Sequence, residues 1–478
     1  MLQFKLSDDL KFIELVDFSL NTERNDLFNF FKRKSKKAAF NVLVDRGIWD
    51  GKDPFITKDG KIAVGLWKEV YNFASRYGYD CEISGIDSIL SLSLDREKYN
   101  KYVDRLLDGI LDEKGLPIVP RDYQLEGAYR ALKYRFCTQE LATSAGKTLI
   151  FYIYNCFLRD AKKVSVSAKS LIIVPNISLV AQTAEKFTLY NNGENPWKIC
   201  TIGGKDKFTQ DKFNNSEIII STYQSLQNLP KELFTQFSVV CVDETHKSRG
   251  NVIQSIILSC TNWKYKLGLS GTIKMDEEFS DFFKMQENVG PLVMLLSAKH
   301  LIDNGYSPNI KIKIIKLKYD NADPYLQKYW ELKKTGKEMY NNAKDYGRDM
   351  LSIERGFIFE SKARLNFISD MVKKFGKNTL ILFSDVKNGY GKAIQNTLLE
   401  WNSNTFYIDG EVESLDRDQF KNEMEKSNVN IEFTFGQTVI SVSEDELIPL
   451  ENGTSKSARN VTQEDNVSDL WIFEKSKK

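Results

Sequence analysis

Histidine and closely spaced cysteine are what this sequence has least of. Its 478 residues hold two histidines, His246 and His300, and six cysteines, Cys81, Cys137, Cys156, Cys200, Cys241 and Cys260, with no C-x-x-C pair among them. That scatter excludes a compact disulfide framework and most structural zinc sites, and two histidines leave no basis for a histidine-based metal centre. Reduced, mostly buried thiols are expected. No stretch approaches 18 uncharged apolar residues, and the opening MLQFKLSDDL lacks the basic-then-apolar layout of a signal peptide. The expectation is a cytoplasmic protein with no membrane partner. Charge of one sign is lacking too: the net charge is +2, so any nucleic-acid affinity must come from local patches.

What is present reads as a soluble, globular chain of two to four domains, with 42% hydrophobic and 28% charged residues. The one obvious basic patch is Lys32, Arg33, Lys34, Lys36 and Lys37. Such a run is either a solvated face or a set of phosphate contacts. It is expected on a helix, followed by a small sheet over FNVLVDRGIWDGKDPFITKDGKIAVGLW, where apolar and polar residues alternate around Asp50-Gly51 and Asp59-Gly60. A charged helical stretch, LDREKYNKYVDRLLDGILDEKG, then stops at Gly115 before Pro117 and Pro120, which marks a domain boundary.

From about 120 to 295 the texture changes. The runs SLIIVP, EIIIST, SVVCVD and YKLGLSGT are short, apolar and separated by helical patterns. That combination predicts βαβ units and a parallel sheet covered on both faces, with chemistry at the carboxyl ends of the strands. Beyond 300 a long charged helical stretch (about 323 to 375) leads to NTLILFSD, a predicted strand, then the helical GYGKAIQNTLLEW, then the predicted strand TFYIDG.

Two motifs carry chemistry. Ala142, Thr143, Ser144, Ala145 and Gly146 precede Lys147, Thr148 and an apolar helical run. Small residues let the backbone curl so that its N–H groups face phosphates at a helix N-terminus. Lys147 would reach the β- and γ-phosphates of ATP, and the Thr148 hydroxyl would ligate Mg²⁺. Leu141 stands where the general phosphate-loop pattern has glycine. The second motif is the buried-strand run Val239–Val242 ending on Asp243-Glu244-Thr245-His246. It delivers two adjacent carboxylates, Asp243 to hold Mg²⁺ through its water shell and Glu244 to polarise an attacking water. Glu244, Asp243 and Lys147 are therefore the expected catalytic set.

These motifs resemble those of superfamily 2 DExH helicases, and within them the T-even phage UvsW group of recombination helicases. Pro120-Arg121-Asp122-Tyr123-Gln124 resembles the motif upstream of the phosphate loop, and the resemblance implies that Arg121 and Gln124 read adenine. Pro175-Asn176, Gly203-Gly204 and Ser221-Thr222-Tyr223-Gln224 resemble nucleic-acid-touching motifs, implicating Pro175, Gly204 and Thr222. Ser270-Gly271-Thr272 resembles motif III, implying that Ser270 and Thr272, with His246, couple hydrolysis to movement. The segment Arg46–Lys52 resembles the group's small DNA-binding domain, which would turn the 32–37 run toward DNA. Trp49 there is either a base-stacking residue or a core aromatic.

The resemblance implies an α/β chain: a small α+β DNA-binding domain (1–112), a RecA-like ATP-binding domain (113–296), a partial second RecA-like domain (297–430) and a divergent tail (431–478). In the third of these, Leu382-Phe383-Ser384 resembles motif IV, and Tyr407-Ile408-Asp409-Gly410 leads toward a helix at 414–426. The family's Q-x-x-G-R-x-x-R motif, whose arginines reach the γ-phosphate, has no counterpart in residues 429–478. The tail bears a likeness to part of an intein's N-terminal segment around Gly436–Ile440 and Glu451-Asn452-Gly453, or is an unrelated capping extension. The expected partners are single-stranded or branched DNA and a separate polypeptide supplying the rest of the second domain. The expected activity is an ATP-dependent DNA helicase or branch-migration motor. The alternatives are a fragment that binds ATP and DNA without efficient turnover, or another phosphate-loop ATPase such as a terminase.

Overall fold

The computed structural model describes residues 1–309 apart from 37, 39–40, 91–93, 113–114, 166–167, 192–197, 274 and 277. From 310 to 409 it describes chiefly four helices and their flanks, and beyond 410 only residue 420 and four short strands. The chain divides into two compact units, Met1–Lys311 and Ile312–Lys478.

The described residues of the first unit form thirteen strands: β1 (Leu2–Leu6), β2 (Phe12–Asp17), β3 (Lys32–Lys34), β4 (Lys52–Pro54), β5 (Lys61–Ala63), β6 (Cys81–Ser84), β7 (Phe136–Leu141), β8 (Lys169–Val174), β9 (Ile199–Ile202), β10 (Ile218–Thr222), β11 (Phe237–Asp243), β12 (Tyr265–Ser270) and β13 (Leu292–Leu296). The last seven form one parallel sheet in the order β13-β7-β12-β11-β8-β10-β9. Its central members are the four apolar runs, and β8 and β10 are buried throughout. Fully buried strands cannot alternate in polarity, which is why they read as unbroken runs. Helices from both sides complete the layers, among them Asp122–Lys133 and Lys147–Asp160, which is buried from Leu149 to Leu158.

The N-terminal residues form a four-stranded sheet, β5-β2-β1-β6, and a separate β3-β4 ladder. The basic run is therefore on a strand rather than the expected helix. The helix Asn21–Phe30 ends just before it, and Lys32, Arg33 and Lys34 pair with Pro54, Asp53 and Lys52. Strand pairing to a preformed partner outweighs the modest helix preference of lysine and arginine. The helix expected to end at Gly115 spans Arg96–Leu107. Gly109 turns with φ 73°, and Leu111 bridges back to Pro117. Tyr99, Val103 and Leu107 of this helix share the core of the parallel sheet.

In the second unit, the helices Pro324–Met339, Ala343–Glu360, Lys362–Phe375 and Tyr390–Leu399 are as the sequence predicts. The two predicted strands are not formed among the described residues: 379–383 and 405–409 join no ladder. Leu380 and Leu382 are 75% and 86% exposed there. A strand of a parallel sheet exists only beside a neighbour that takes up its N–H and C=O groups, and no such neighbour stands among the described residues. Ser384, Gly410 and, residue 420 apart, the expected helix at 414–426 lie outside them. The tail carries two antiparallel pairs, β14 (Asn430–Phe435) with β15 (Thr438–Ser443) and β16 (Leu447–Pro449) with β17 (Ser455–Ser457).

Candidate nucleotide and nucleic-acid sites

Because all seven strands run the same way, every motif loop leaves the same edge of the sheet. The order of strands then sorts the loops. The phosphate-loop residues follow β7, the paired carboxylates end β11, and Ser270 ends β12 between them. Adjacent strands lie roughly 4.8 Å apart, so these three loops share one small volume.

The loop after β7 turns through two left-handed residues, Ser144 (φ 70°) and Gly146 (φ 72°). The left-handed backbone at Gly146 would strain any other residue, and a Cβ there would come within 2.3 Å of Gln124 Nε2. Gln124 is buried and braces this loop: Nε2 donates to Ala145 O at 2.8 Å, and Oε1 accepts from Arg121 N at 2.9 Å. Thr143 and Ser144 are exposed, Ala145 is buried, and Lys147 and Thr148 open the helix with half-buried side chains.

Lys147 Nζ lies 2.9 Å from Glu244 Oε1 and 3.5 Å from Asp243 Oδ1. Glu244 adopts φ 55° as β11 ends, a left-handed conformation that costs a non-glycine residue on the order of 1 kcal/mol. That kink throws its side chain back over the sheet edge, where Oε2 accepts from Ser270 Oγ at 3.2 Å and lies 3.1 Å from His246 Nδ1. His246 Nδ1 and Ser270 Oγ are 2.8 Å apart, and Ser270 Oγ accepts from Thr272 N at 3.4 Å. The expected coupling residues thus form one network with the carboxylate they are expected to sense.

The two carboxylates are tuned in opposite directions. Burial pushes the Asp243 carboxyl above its ordinary range, with Glu244 adding to the push and Lys147 opposing it. Burial would also lift Glu244, but the hydrogen bond and charge of Lys147, with His246 and Ser270, outweigh it and hold this carboxyl low. Asp243 Oδ1 is buried without a hydrogen-bond partner. A buried carboxylate oxygen facing a lysine and a helix N-terminus fits magnesium with the terminal phosphates of a nucleotide. Asp243 and Thr148 would hold the metal, and Lys147 with the loop N–H groups the phosphates.

The chain and its fold have relatives among known proteins. The family described as "Type III restriction enzyme, res subunit" matches residues 117–275. Over 399 residues the chain is 26% identical to the ATP-dependent DNA helicase uvsW of Enterobacteria phage T4, covering 83% of this chain and 73% of that protein. A crystal structure of the bacteriophage T4 UvsW helicase superposes with a TM-score of 0.52 at 26% identity, covering 61% of this chain and 99% of the other. A second T4 UvsW structure, at 22% identity, shares the fold over 89% of this chain and 78% of its own, again with a TM-score of 0.52. This chain is a superfamily 2 helicase related to T4 UvsW.

The residues expected to touch nucleic acid follow β8, β9 and β10, the half of the sheet away from the superfamily 2 nucleotide loops. Asn176, next to Pro175, caps the helix Ile177–Leu189 through Leu179 N at 3.0 Å, and Thr222 caps its own short helix through Ser225 N at 3.3 Å. A Cβ on Gly203 would meet Ser225 Oγ at 3.1 Å, and one on Gly204 would meet Ile177 at 2.9 Å. Pro175, Gly204 and Thr222 are thus brought to one place. The basic run is not with them. Lys34 pairs with Glu278, Lys36 with Asp281 at 2.8 Å, and the Arg33 guanidinium lies 4.3 Å from the ring centres of both Phe30 and Phe283. Lys32 is exposed, and Lys37 lies outside the described residues. Trp49 is half-buried and donates from Nε1 to Lys52 O at 2.8 Å.

Sequence reasoning missed Thr245 and Gly268. Thr245 Oγ1 donates to Val242 O at 2.9 Å, and a Cβ on Gly268 would strike that hydroxyl at 2.3 Å. The signal was present: a glycine inside the apolar run YKLGLS marks a close approach of another chain segment. Among the described residues no helix is long and apolar enough to cross a membrane, and no cluster of three or more metal-binding side chains occurs.

Proposed function

We propose that this chain is an ATP-dependent DNA helicase or branch-migration motor of the UvsW type, acting on single-stranded or branched DNA in the cytoplasm. The observation that carries the reading is the convergence of Lys147, Asp243 and Glu244 at one edge of a parallel sheet, with His246 and Ser270 bonded to the same glutamate. Lys147 and the loop N–H groups bind the phosphates, Asp243 and Thr148 hold Mg²⁺, and Glu244 orients and polarises the attacking water. The Ser270–His246 network carries the change at Glu244 to the loops that follow β8, β9 and β10, where DNA is bound. Arg121 and Gln124 face the base.

The test is nucleotide binding with turnover followed separately. The wild-type chain binds MgATP and Glu244→Gln binds it equally while losing hydrolysis. A chain that takes up no MgATP would sink the reading.

We infer further that these residues alone turn over slowly. No counterpart of the Q-x-x-G-R-x-x-R arginines stands in residues 429–478. A polypeptide carrying them, added separately, completes the site.

A further inference from the structure

Past β13 the first unit continues through the helix Ala298–Asp303, turns at Gly305 with φ 70°, and presents Tyr306, whose backbone N donates to Leu301 O at 2.7 Å. The turn fixes Tyr306 against Arg121, whose guanidinium carbon lies 4.5 Å from the centre of the Tyr306 ring. Arg121 is held from its other side as well, because Nη1 donates to Tyr123 Oη at 2.7 Å. The Tyr123 and Tyr306 rings meet edge to face at 5.8 Å and 64°. The backbone of Arg121 is bonded to Gln124, and Gln124 to the loop at Ala145. One connected set of contacts therefore runs from the phosphate loop to Tyr306.

We propose that Tyr306 is a nucleobase-recognition residue, its ring and the Arg121 guanidinium forming the flat platform on which the base of ATP stacks. The proposal rests on the nucleotide-site reading above and adds a residue from outside the motifs. With the phosphates at Ala142–Thr148, the base of the same molecule falls roughly a nucleotide's length away, on the side to which Gln124 leads. Of the flat groups there, Tyr123 is buried and has no free face, whereas Tyr306 is 36% exposed and Arg121 half-buried. An arginine plane held on a tyrosine ring is preorganised for stacking, since neither side chain must be ordered when the base arrives. Stacking on a π-face tolerates any base, so the platform supplies affinity while Gln124 supplies the hydrogen bonding that discriminates.

The experiment compares MgATP with magnesium tripolyphosphate, which has the phosphates and no base, by equilibrium titration of the full chain. Tyr306→Ala and Tyr306→Leu are expected to weaken MgATP roughly ten-fold, within the range that loss of one base stack gives. They leave tripolyphosphate binding unchanged, and Tyr306→Phe keeps the wild-type affinity for both ligands. Wild-type affinity for MgATP in Tyr306→Leu, or equal losses for the two ligands, would overturn the proposal. A wild-type chain that binds neither would instead bring down the nucleotide-site reading and the proposal with it. Tripolyphosphate uptake that Lys147→Ala weakens keeps that reading standing whatever Tyr306 does.

Discussion

Lys147 sits between two carboxylates that burial lifts alike and their neighbours then drive apart, and the residue-scale predictions follow from that asymmetry. Removing its ammonium takes one charge-assisted phosphate contact from the site. Lys147→Ala should then bind MgATP less tightly by about 1.5–3 kcal/mol, roughly 10- to 150-fold, in an isothermal titration. The folded-state carboxyl of Asp243 lies above its ordinary 3.8, so its contribution to stability is lost as pH rises from there through the folded value. At neutral pH its charge is a standing cost, one that a metal ion would offset. Asp243→Asn should therefore melt higher at about pH 7, by about 1 kcal/mol or roughly 2 °C, while losing magnesium-dependent nucleotide affinity. Glu244 has the opposite sign. Its carboxyl lies below the ordinary 4.5, so its stabilisation is present above that value and fades as pH falls through the folded one. In melts taken from about pH 7 to about pH 3, Glu244→Gln should start below the wild type and close the gap as the solution is acidified. A gap that stays constant would mean that the Lys147–Glu244 contact contributes nothing to folding.

At the scale of elements, the helix Ser280–Val289 joins the N-terminal sheet to the nucleotide edge. It packs Phe282, Phe283 and Met285 into the core of the N-terminal strands, donates from Gln286 Nε2 to Glu69 Oε1 at 2.9 Å, and donates from Asn288 Nδ2 to Ser248 O at 2.9 Å. Gly65 permits the close approach, since a Cβ there would stand 2.1 Å from the Gln286 carbonyl oxygen. The obstacle is backbone, so Gly65→Ala should destabilise the first unit by about 2 kcal/mol in denaturant melts. The same docking limits the basic run. Five free phosphate contacts would give a salt slope of roughly 0.9 each. With Lys34 and Lys36 facing carboxylates and Arg33 stacked on two phenylalanines, neutralising all five should flatten the log K against log[salt] line by far less. A drop of the full size would show that those pairs open on DNA. Neither this docking nor β3 was legible in the sequence, because both depend on partners about 20 to 250 residues away. The four apolar strands and the motif loops were legible, since each announces itself within ten residues. β7 was not: Thr138 and Gln139 are buried in it with bonds to Gly290 O and Gly127 O, and polarity satisfied by distant backbone looks like a loop to hydropathy. β9 has four residues, and β13 is an edge strand with Leu295 57% exposed, so both escape a search for apolar runs.

For the whole molecule, the question is what one chain can do with the parts it holds. The first unit gathers Gln124, Lys147, Thr148, Asp243 and Glu244, the set proposed above to bind MgATP and place a water. Charge that develops on the γ-phosphoryl oxygens needs a further cation, and arginine fingers contribute about 10³–10⁵ in rate where they have been removed or supplied. Arg355 and Arg364 of the second unit line a cavity of their own unit with Ile368 and Tyr390, and Arg364 lies 5.9 Å from the Tyr390 ring. Both precede the position of the family's finger in sequence, as does Arg417, which lies outside the described residues. The expected outcome is that these 478 residues bind ATP and DNA, hydrolyse ATP slowly and unwind nothing by themselves. Adding a polypeptide with the Q-x-x-G-R-x-x-R motif should raise DNA-stimulated hydrolysis by orders of magnitude, and Glu244→Gln in this chain should cancel the gain, which places the water-activating step here. Rapid DNA-stimulated hydrolysis by this chain alone, lost in Glu244→Gln and in one of Arg355→Ala or Arg364→Ala, would show instead that the second unit supplies its own finger.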